Sequence, residues 1–250
     1  HMMRSFLTML GIIIGIASII AIVSTIKGTS EQIKEDLIGA GNNTVSVSLN
    51  YGDSDYDPEY GMTDGTEPPL LSDQQKEDVM NLDHVENATF FYSRTYTSSV
   101  YYENTSFQGG SIYGIDMNYL DTCGYMVRSG RGFIQKDYDE MRKVVGKDPV
   151  GKTIEIGSEP FTVIGVVEQN DDYQPNIKTI DEYNQYYQMI MGTVMIPNKC
   201  WPMAFKFDEP ENAVIRADST DNMSSAGNAA ADIMNQGINT NTSKYKYKAD

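Results

Sequence analysis

From Phe6 to Ile26 the chain carries no charged residue. That length is close to the roughly 20 apolar residues an α-helix needs to cross a bilayer's hydrocarbon core. A secretory signal would have a shorter apolar region and a small-residue cleavage site. The sequence AIVSTIKG offers no such site, so the stretch reads as a retained transmembrane helix, with a cleaved signal as the alternative. Arg4 precedes the span and a strongly acidic chain follows it. The positive-inside bias therefore predicts a single span with a cytoplasmic N-terminus and an extracytoplasmic main domain. Gly11 and Gly15 form a GxxxG step with Ser18 on the same face, a spacing that lets a second helix approach closely in a membrane. Glycine is also common in membrane helices that pair with nothing.

The apolar rod continues without proline through IKGTSEQIKEDLIGAGNN, where Ile26, Ile33 and Leu37 fall on one helical face. Gly39 and Gly41 supply a C-terminal stop. Residues 4–41 thus read as one membrane helix plus a stalk, and a continuous helix transmits movement where a Gly/Ser linker would not. Ile33 and Leu37 are the candidate coupling residues on the stalk.

Beyond the rod the chain is polar, with a formal net charge of -16 from 19 basic and 35 acidic residues. A nucleic-acid surface needs clustered Lys and Arg, and none appears. Two cysteines, Cys123 and Cys200, are too few for a disulfide framework or a zinc site; one bridge or two separate thiols both fit. His1-Met2 ahead of Met3 reads as a cloning remnant, which leaves His84 as the native histidine.

The outer part alternates strand and helix signals. NNTVSVSLNYG has strand alternation at Val45, Val47 and Leu49. LSDQQKEDVMNL reads as a helix with Ser72 as N-cap and Gln75 completing a capping box. NATFFYSRTYTSSVYY and SFQGGSIYGID read as strands around a turn at Glu103-Asn104, TIEIGSEPFTVIGVVE as two strands turning at Gly157-Ser158, and GTVMIP as another strand. NAVIRA, STDNMSSAGNAAADIMNQ and KYKYKA read as strand, helix and strand, while 169–189 reads as a polar loop. A β-α-β opening and a β-α-β ending predict an α+β fold of ferredoxin-like split units carrying an insertion.

Two motifs invite chemistry and their context withholds it. GKDPVGKT, Gly146 to Thr153, fits the phosphate-cradling GxxxxGK[ST] pattern. That loop must open a helix whose N–H groups face the phosphates, and the residues after Thr153 are strand-like instead. DSDYDPEYGMTD places Asp53, Asp55, Asp57, Glu59 and Asp64 at calcium-loop offsets, but Pro58 stands where the loop needs glycine; a solvated acidic loop is the simpler reading. The aromatic run Phe90, Phe91, Tyr92, Tyr96, Tyr101 and Tyr102 fits cross-strand pairs better than a ligand groove. His84 has no nucleophile or carboxylate pattern beside it, so no catalytic, cofactor or metal residue is assigned.

RSFLTMLGIIIGIASIIAIVS resembles the first transmembrane helix of MacB-type ABC transporter permeases, the group that includes FtsX-like proteins. HVENAT, YGIDMNYL, SGRGF, DPVGKTIEIGSEPFTVIGVV and TVMIPN come after it in the family's order. The resemblance implies an outward-facing domain between the first and second membrane helices. Its parts are a membrane-proximal porter-like subdomain, 42–110 with 202–250, and a small α/β insertion, 111–201. It further implies a permease homodimer, a separate ABC ATPase subunit that carries the real P-loop, and transmission of ATP-driven helix movements to the outer domain. A substrate such as a peptide or antibiotic, or an extracytoplasmic adaptor, would be met there. IQKDYDEMRKVVGK is shorter than the family pattern by about a helix. The alternative function is a single-pass anchored ligand-binding or receptor module, which downstream apolar spans in the gene would exclude.

Overall fold

The computed structural model describes residues 43–58, 66–97, 99–103, 105–106, 110–139, 144–146, 150–169, 193–238 and 243–250, together with Ile16, Ser18 and Ile22. The core of the fold is a sheet built from chain segments far apart in sequence. Strand β1 (Thr44–Tyr51) lies between β12 (Asn212–Ala217) and β13 (Tyr245–Ala249), and β12 pairs on its other side with β3 (Val85–Thr97). All these pairs are antiparallel. Helix α1 (Asp73–Met80) connects β1 to β3, and helix α5 (Met223–Met234) connects β12 to β13. With the strands in the order β3-β12-β1-β13, this is the split β-α-β-β-α-β arrangement the sequence predicts.

Local chemistry explains why each piece forms. Ser72 and Gln75 make the reciprocal capping box: the Gln75 amide donates to Ser72 Oγ at 3.2 Å and the Ser72 amide to Gln75 Oε1 at 3.1 Å. The same Gln75 then donates from Nε2 to the Ile233 and Gln236 carbonyls at the end of α5, tying the helices together. Small residues on α5 (Ala226, Gly227, Ala230 and Ala231) are buried, and a Cβ on Gly227 would meet Val45 Cγ1 at 2.5 Å. The helix therefore sits close on β1, over a core of Val47, Leu49, Phe90, Ile215, Met234, Tyr245 and Tyr247. In the edge strand β13, Tyr245 and Tyr247 point in, while Lys246 and the preceding Lys244 stay exposed. Charged edge residues of this kind discourage another strand from pairing there.

The sheet extends past β3 through β6 (Gly110–Ile115) to β11 (Thr193–Pro197), which pairs parallel with β6. A hairpin, β2 (Ser54–Asp55), adds to β1, completing seven strands. Two excursions from this sheet build a second one. Between β3 and β6 the chain leaves to form β4 (Val100–Tyr102) and β5 (Thr105–Ser106). Between β6 and β11 it forms β7 (Tyr125–Gly130), β8 (Val144–Gly146), β9 (Thr153–Ile156) and β10 (Glu159–Gln169), with short helices α2 (Tyr119–Thr122) and α3 (Gln135–Asp139). The second sheet runs β5-β4-β9-β10-β7, with β8 parallel to β10. Val100, Ile154, Ile156, Phe161 and Val163 from this sheet pack against Ile112, Val194 and Ile196 of the first. Helix α4 (Trp201–Ala204) places Trp201 at the centre of that core.

The predicted cut at 110/111 falls at the start of β6, and the one at 201/202 falls inside α4. Strands β6 and β11, expected in the insertion, belong to the larger sheet, and the β4–β5 hairpin belongs to the second. Alternation marks a strand but does not name its partner, and β11 finds β6 from the far side of the whole excursion. Strand β7 has no sequence signal, because every residue after Tyr125 in it is exposed.

Candidate functional site

One end of the large sheet brings together the start of β1, the end of β12 and the end of β13. The Asn43 carbonyl accepts from the Ala217 amide at 2.7 Å, and its side-chain oxygen accepts from Thr220 Oγ1 at 2.8 Å. The Asp250 amide donates to the Ser46 carbonyl at 3.0 Å, so the end of β13 lies beside the start of β1. A cluster of polar side chains borders this base. His84, held at φ 64, packs its Nδ1 2.9 Å from Asp218 and 2.9 Å from Asn222. The hydrogen bond to Asp218, with its charge, holds the imidazole above its ordinary pKa, and Asp218 is lowered by Asn222 and then His84.

A second constellation joins the helix-covered core to the second sheet. The segment 205–211 between α4 and β12 carries two buried carboxylates on either side of Pro210, Glu209 and Glu211. Arg94 of β3 pairs with Glu209, which also accepts from Trp201 Nε1 at 2.9 Å. Lys76 of α1 pairs with Glu211. Burial pushes the Glu211 carboxyl above the usual carboxylate range more than Lys76 pulls it back. Trp201 stacks on Tyr92 at 5.3 Å and meets Phe205 at 4.4 Å, and the Arg94 guanidinium lies over the Phe205 ring at 4.5 Å. Groups from β3, α1 and α4 thus converge on one connecting segment. Sequence reasoning missed it, because two glutamates in an acidic chain carry no signal of burial.

The residues singled out by sequence are distributed differently. Gly11, Gly15, Ile33 and Leu37 lie outside the described residues. Ser18 is helical and exposed, as are Ile16 and Ile22. Among the described residues no helix is long and apolar enough to cross a membrane. In the acidic loop, Asp55 accepts from Asn50 Nδ2 at 2.9 Å and Asp57 from Thr95 Oγ1 at 3.1 Å. Both border a hollow of about 330 Å³ lined also by Ser48, Ser93, Thr95 and Asn212; Glu59 and Asp64 lie outside the described residues. Among those described, no group of acidic, His or Cys side chains is placed to hold a metal ion.

Thr153 of the P-loop-like stretch opens strand β9, whose amides enter the sheet ladder, and Lys152 Nζ sits 5.2 Å from the Tyr102 ring centre. The aromatic run makes packing contacts, Phe91 against Tyr113 and Tyr119 among them. Cys123 and Cys200 are not bridged; burial pushes the Cys123 thiol to about 12. The SGRGF stretch acquires a structural reason. Gly130 has φ +75 and a Cβ there would strike the Ile164 carbonyl, while a Cβ on Gly165 would strike that of Arg131. The backbones cross where only glycine fits, and the Arg131 fork grips the fully buried Asp137 at 2.6 and 2.9 Å.

The fold matches two solved domains. One is the periplasmic region of MacB from Actinobacillus actinomycetemcomitans, with TM-score 0.57 and 17% identity over 87% of this chain and 93% of that one. The other is the extracellular domain of the noncanonic ABC-type transporter YknZ from Gram-positive bacteria, with TM-score 0.54 and 18% identity over 83% of this chain and 100% of that one. In sequence, the chain is 33% identical to the ABC transporter permease YvrN of Bacillus subtilis strain 168 over 95% of its own length and 59% of the relative's. It is also 33% identical to the macrolide export ATP-binding/permease protein MacB of Neisseria gonorrhoeae, over 74% of this chain and 29% of that protein. The chain therefore spans between about a third and three fifths of these relatives. The MacB-like periplasmic core domain family matches residues 5–233, and the chain belongs to that family, the extracytoplasmic part of MacB-like ABC transporter permeases.

Proposed function

We propose that this domain couples movements of the permease's membrane helices, driven by ATP hydrolysis on a separate ABC ATPase, to the handling of a substrate outside the membrane. The observation that carries this reading is that Asn43, bonded to the end of β12, and Asp250, bonded to Ser46, both lie at the same end of the large sheet, at the start of the central strand β1 and the end of its neighbour β13. A membrane helix attached on either side would pull on the same rigid element. The helix-covered sheet is then the membrane-proximal unit and the second sheet the distal one. Movement passes between them through β3, β6 and the pinned segment 205–211. The permease works as a homodimer, and a peptide, an antibiotic or an adaptor is met on the distal side. The MacB relative's name supports an export role, and the stalk read at Lys27–Ile38 supplies the lever.

The test uses the full permease with its ATPase in proteoliposomes. Ile33→Pro removes a helix hydrogen bond and costs about 3 kcal/mol or more locally. ATP hydrolysis should persist while substrate handling is lost and the outer domain keeps its protease resistance. Full coupling in this variant would reduce the stalk to a tether.

A further inference from the structure

At the base of the domain, a hollow of about 260 Å³ lies between the start of α5, the start of β1 and the end of β13. Val45, Met223 and Ala249 give it apolar walls, and Thr220, Ser224 and Asn228 part of its rim. Gly227 of the same helix sits close on Val45, where an added Cβ would meet Val45 Cγ1. Its volume falls below the ~300–1,000 Å³ typical of pockets that enclose drug-sized ligands. Its apolar walls suit aliphatic side chains, and its rim carries hydrogen-bonding groups that an exposed helix flank can meet.

We infer that this hollow seats the apolar face of the chain's own segment 29–41, with Leu37 inserted between Met223 and Val45. The occupant is set by where the chain arrives. Asn43 is bonded to Thr220, which itself borders the hollow, so the segment just before Asn43 is delivered to its rim. Five residues lie between Leu37 and Asn43, so the six steps reach at most about 20 Å even fully extended. Ile33 and Leu37 share one helical face flanked by Glu31, Lys34, Glu35 and Asp36, and an apolar face beyond the membrane needs a cover. The seat would let a movement of the stalk press directly on α5 as well as pull on β1. This placement rests on the reading of residues 4–41 as a span plus stalk; it does not require that the movement be productive.

The experiment is disulfide trapping in the full-length permease with its ATPase in native membranes. The pair Leu37→Cys with Ser224→Cys is oxidised, and linked peptides are identified by mass spectrometry. Ser224 is exposed, so its replacement leaves the core intact. Ala40→Cys with Ser224→Cys repeats the test with Leu37 in place. The control pair Leu37→Cys with Ser54→Cys uses an exposed site at the other end of β1. A link within one chain, several-fold above the control in both test pairs, is the expected result. Yields at the level of the control, or links formed between chains, overturn the seat. Trapping that leaves ATP-driven substrate handling unaffected keeps the seat and sinks the coupling function, so the two claims fail separately.

Discussion

His84 sits on the surface at the base of the domain, in a left-handed backbone conformation, with its ring against Asp218. Because its folded pKa is raised, the contact's stabilisation is fully present below the unfolded imidazole value and is lost as pH rises through the folded one. Asp218 has a lowered pKa, so its share is present above the unfolded carboxylate value and is lost as pH falls through the folded one. The pair is therefore intact in the mildly acidic window between the two. In an NMR titration, Asp218→Asn should bring the His84 ring down toward an ordinary exposed histidine. An unchanged midpoint would show that Asp218 does not hold the ring. Residues of this kind were only half legible in the sequence. His84 stood out by being rare, but nothing near it named Asp218, which is distant in sequence and follows the neighbouring strand β12. Gly130 and Gly165 were visible as glycines, and their reason, two backbones crossing, needed the fold.

At the scale of elements, the segments with a strong local rule were readable. The capping box of α1, the small-residue face of α5 and the alternation of β1, β12 and β13 each come from spacing alone. The segment 205–211 was not, because its order comes from Arg94, Lys76 and Trp201, residues on three other elements. Removing one partner of a buried pair leaves the other charge uncompensated, which costs roughly 3–5 kcal/mol, whereas replacing both with apolar or neutral groups of similar shape is far less harmful. Urea unfolding of the outer domain should therefore show Arg94→Met strongly destabilised, and Arg94→Met combined with Glu209→Gln should recover most of the loss. Additive losses would mean that Arg94 acts mainly by stacking on Phe205. Between these anchors Phe207 is 84% exposed, so the tightness of the segment belongs to the carboxylates and Trp201 and not to apolar burial of the whole loop.

For the whole molecule, the α+β class and the split β-α-β-β-α-β core were legible, since both ends of the chain carry complete strand–helix–strand patterns. The allocation of strands between sheets was not. SIYGI and TVMIP look like any half-buried strands, and their parallel pairing is decided by how the excursion between them folds back. The same distance between parts separates energy source from outer domain in the proposed transporter. Lys152, in the P-loop-like stretch, lies against Tyr102 in the second sheet. Lys152→Ala should leave the assembled transporter's ATP hydrolysis unchanged and cost the fold only about 0.5–1 kcal/mol. A large loss of hydrolysis with the domain still folded would reopen nucleotide binding there.

The pairing of β1 also sets the order in which the domain becomes complete. Thr44 is in register with Arg216 and Val47 with Ala249, so β1 is made well before the two strands that flank it. The second sheet, drawn from 100–169, is finished much earlier. Contacts so far apart must close a long loop before they yield any stabilisation, which slows folding and prolongs exposure of unpaired strands. A nascent chain thus holds an apolar central strand with its ladder edges largely open until β12 and β13 have been made. The alternating lysines of β13 become useful at that moment: the strand that arrives last to close the sheet also gives it an outer edge that discourages a neighbouring chain from adding a strand.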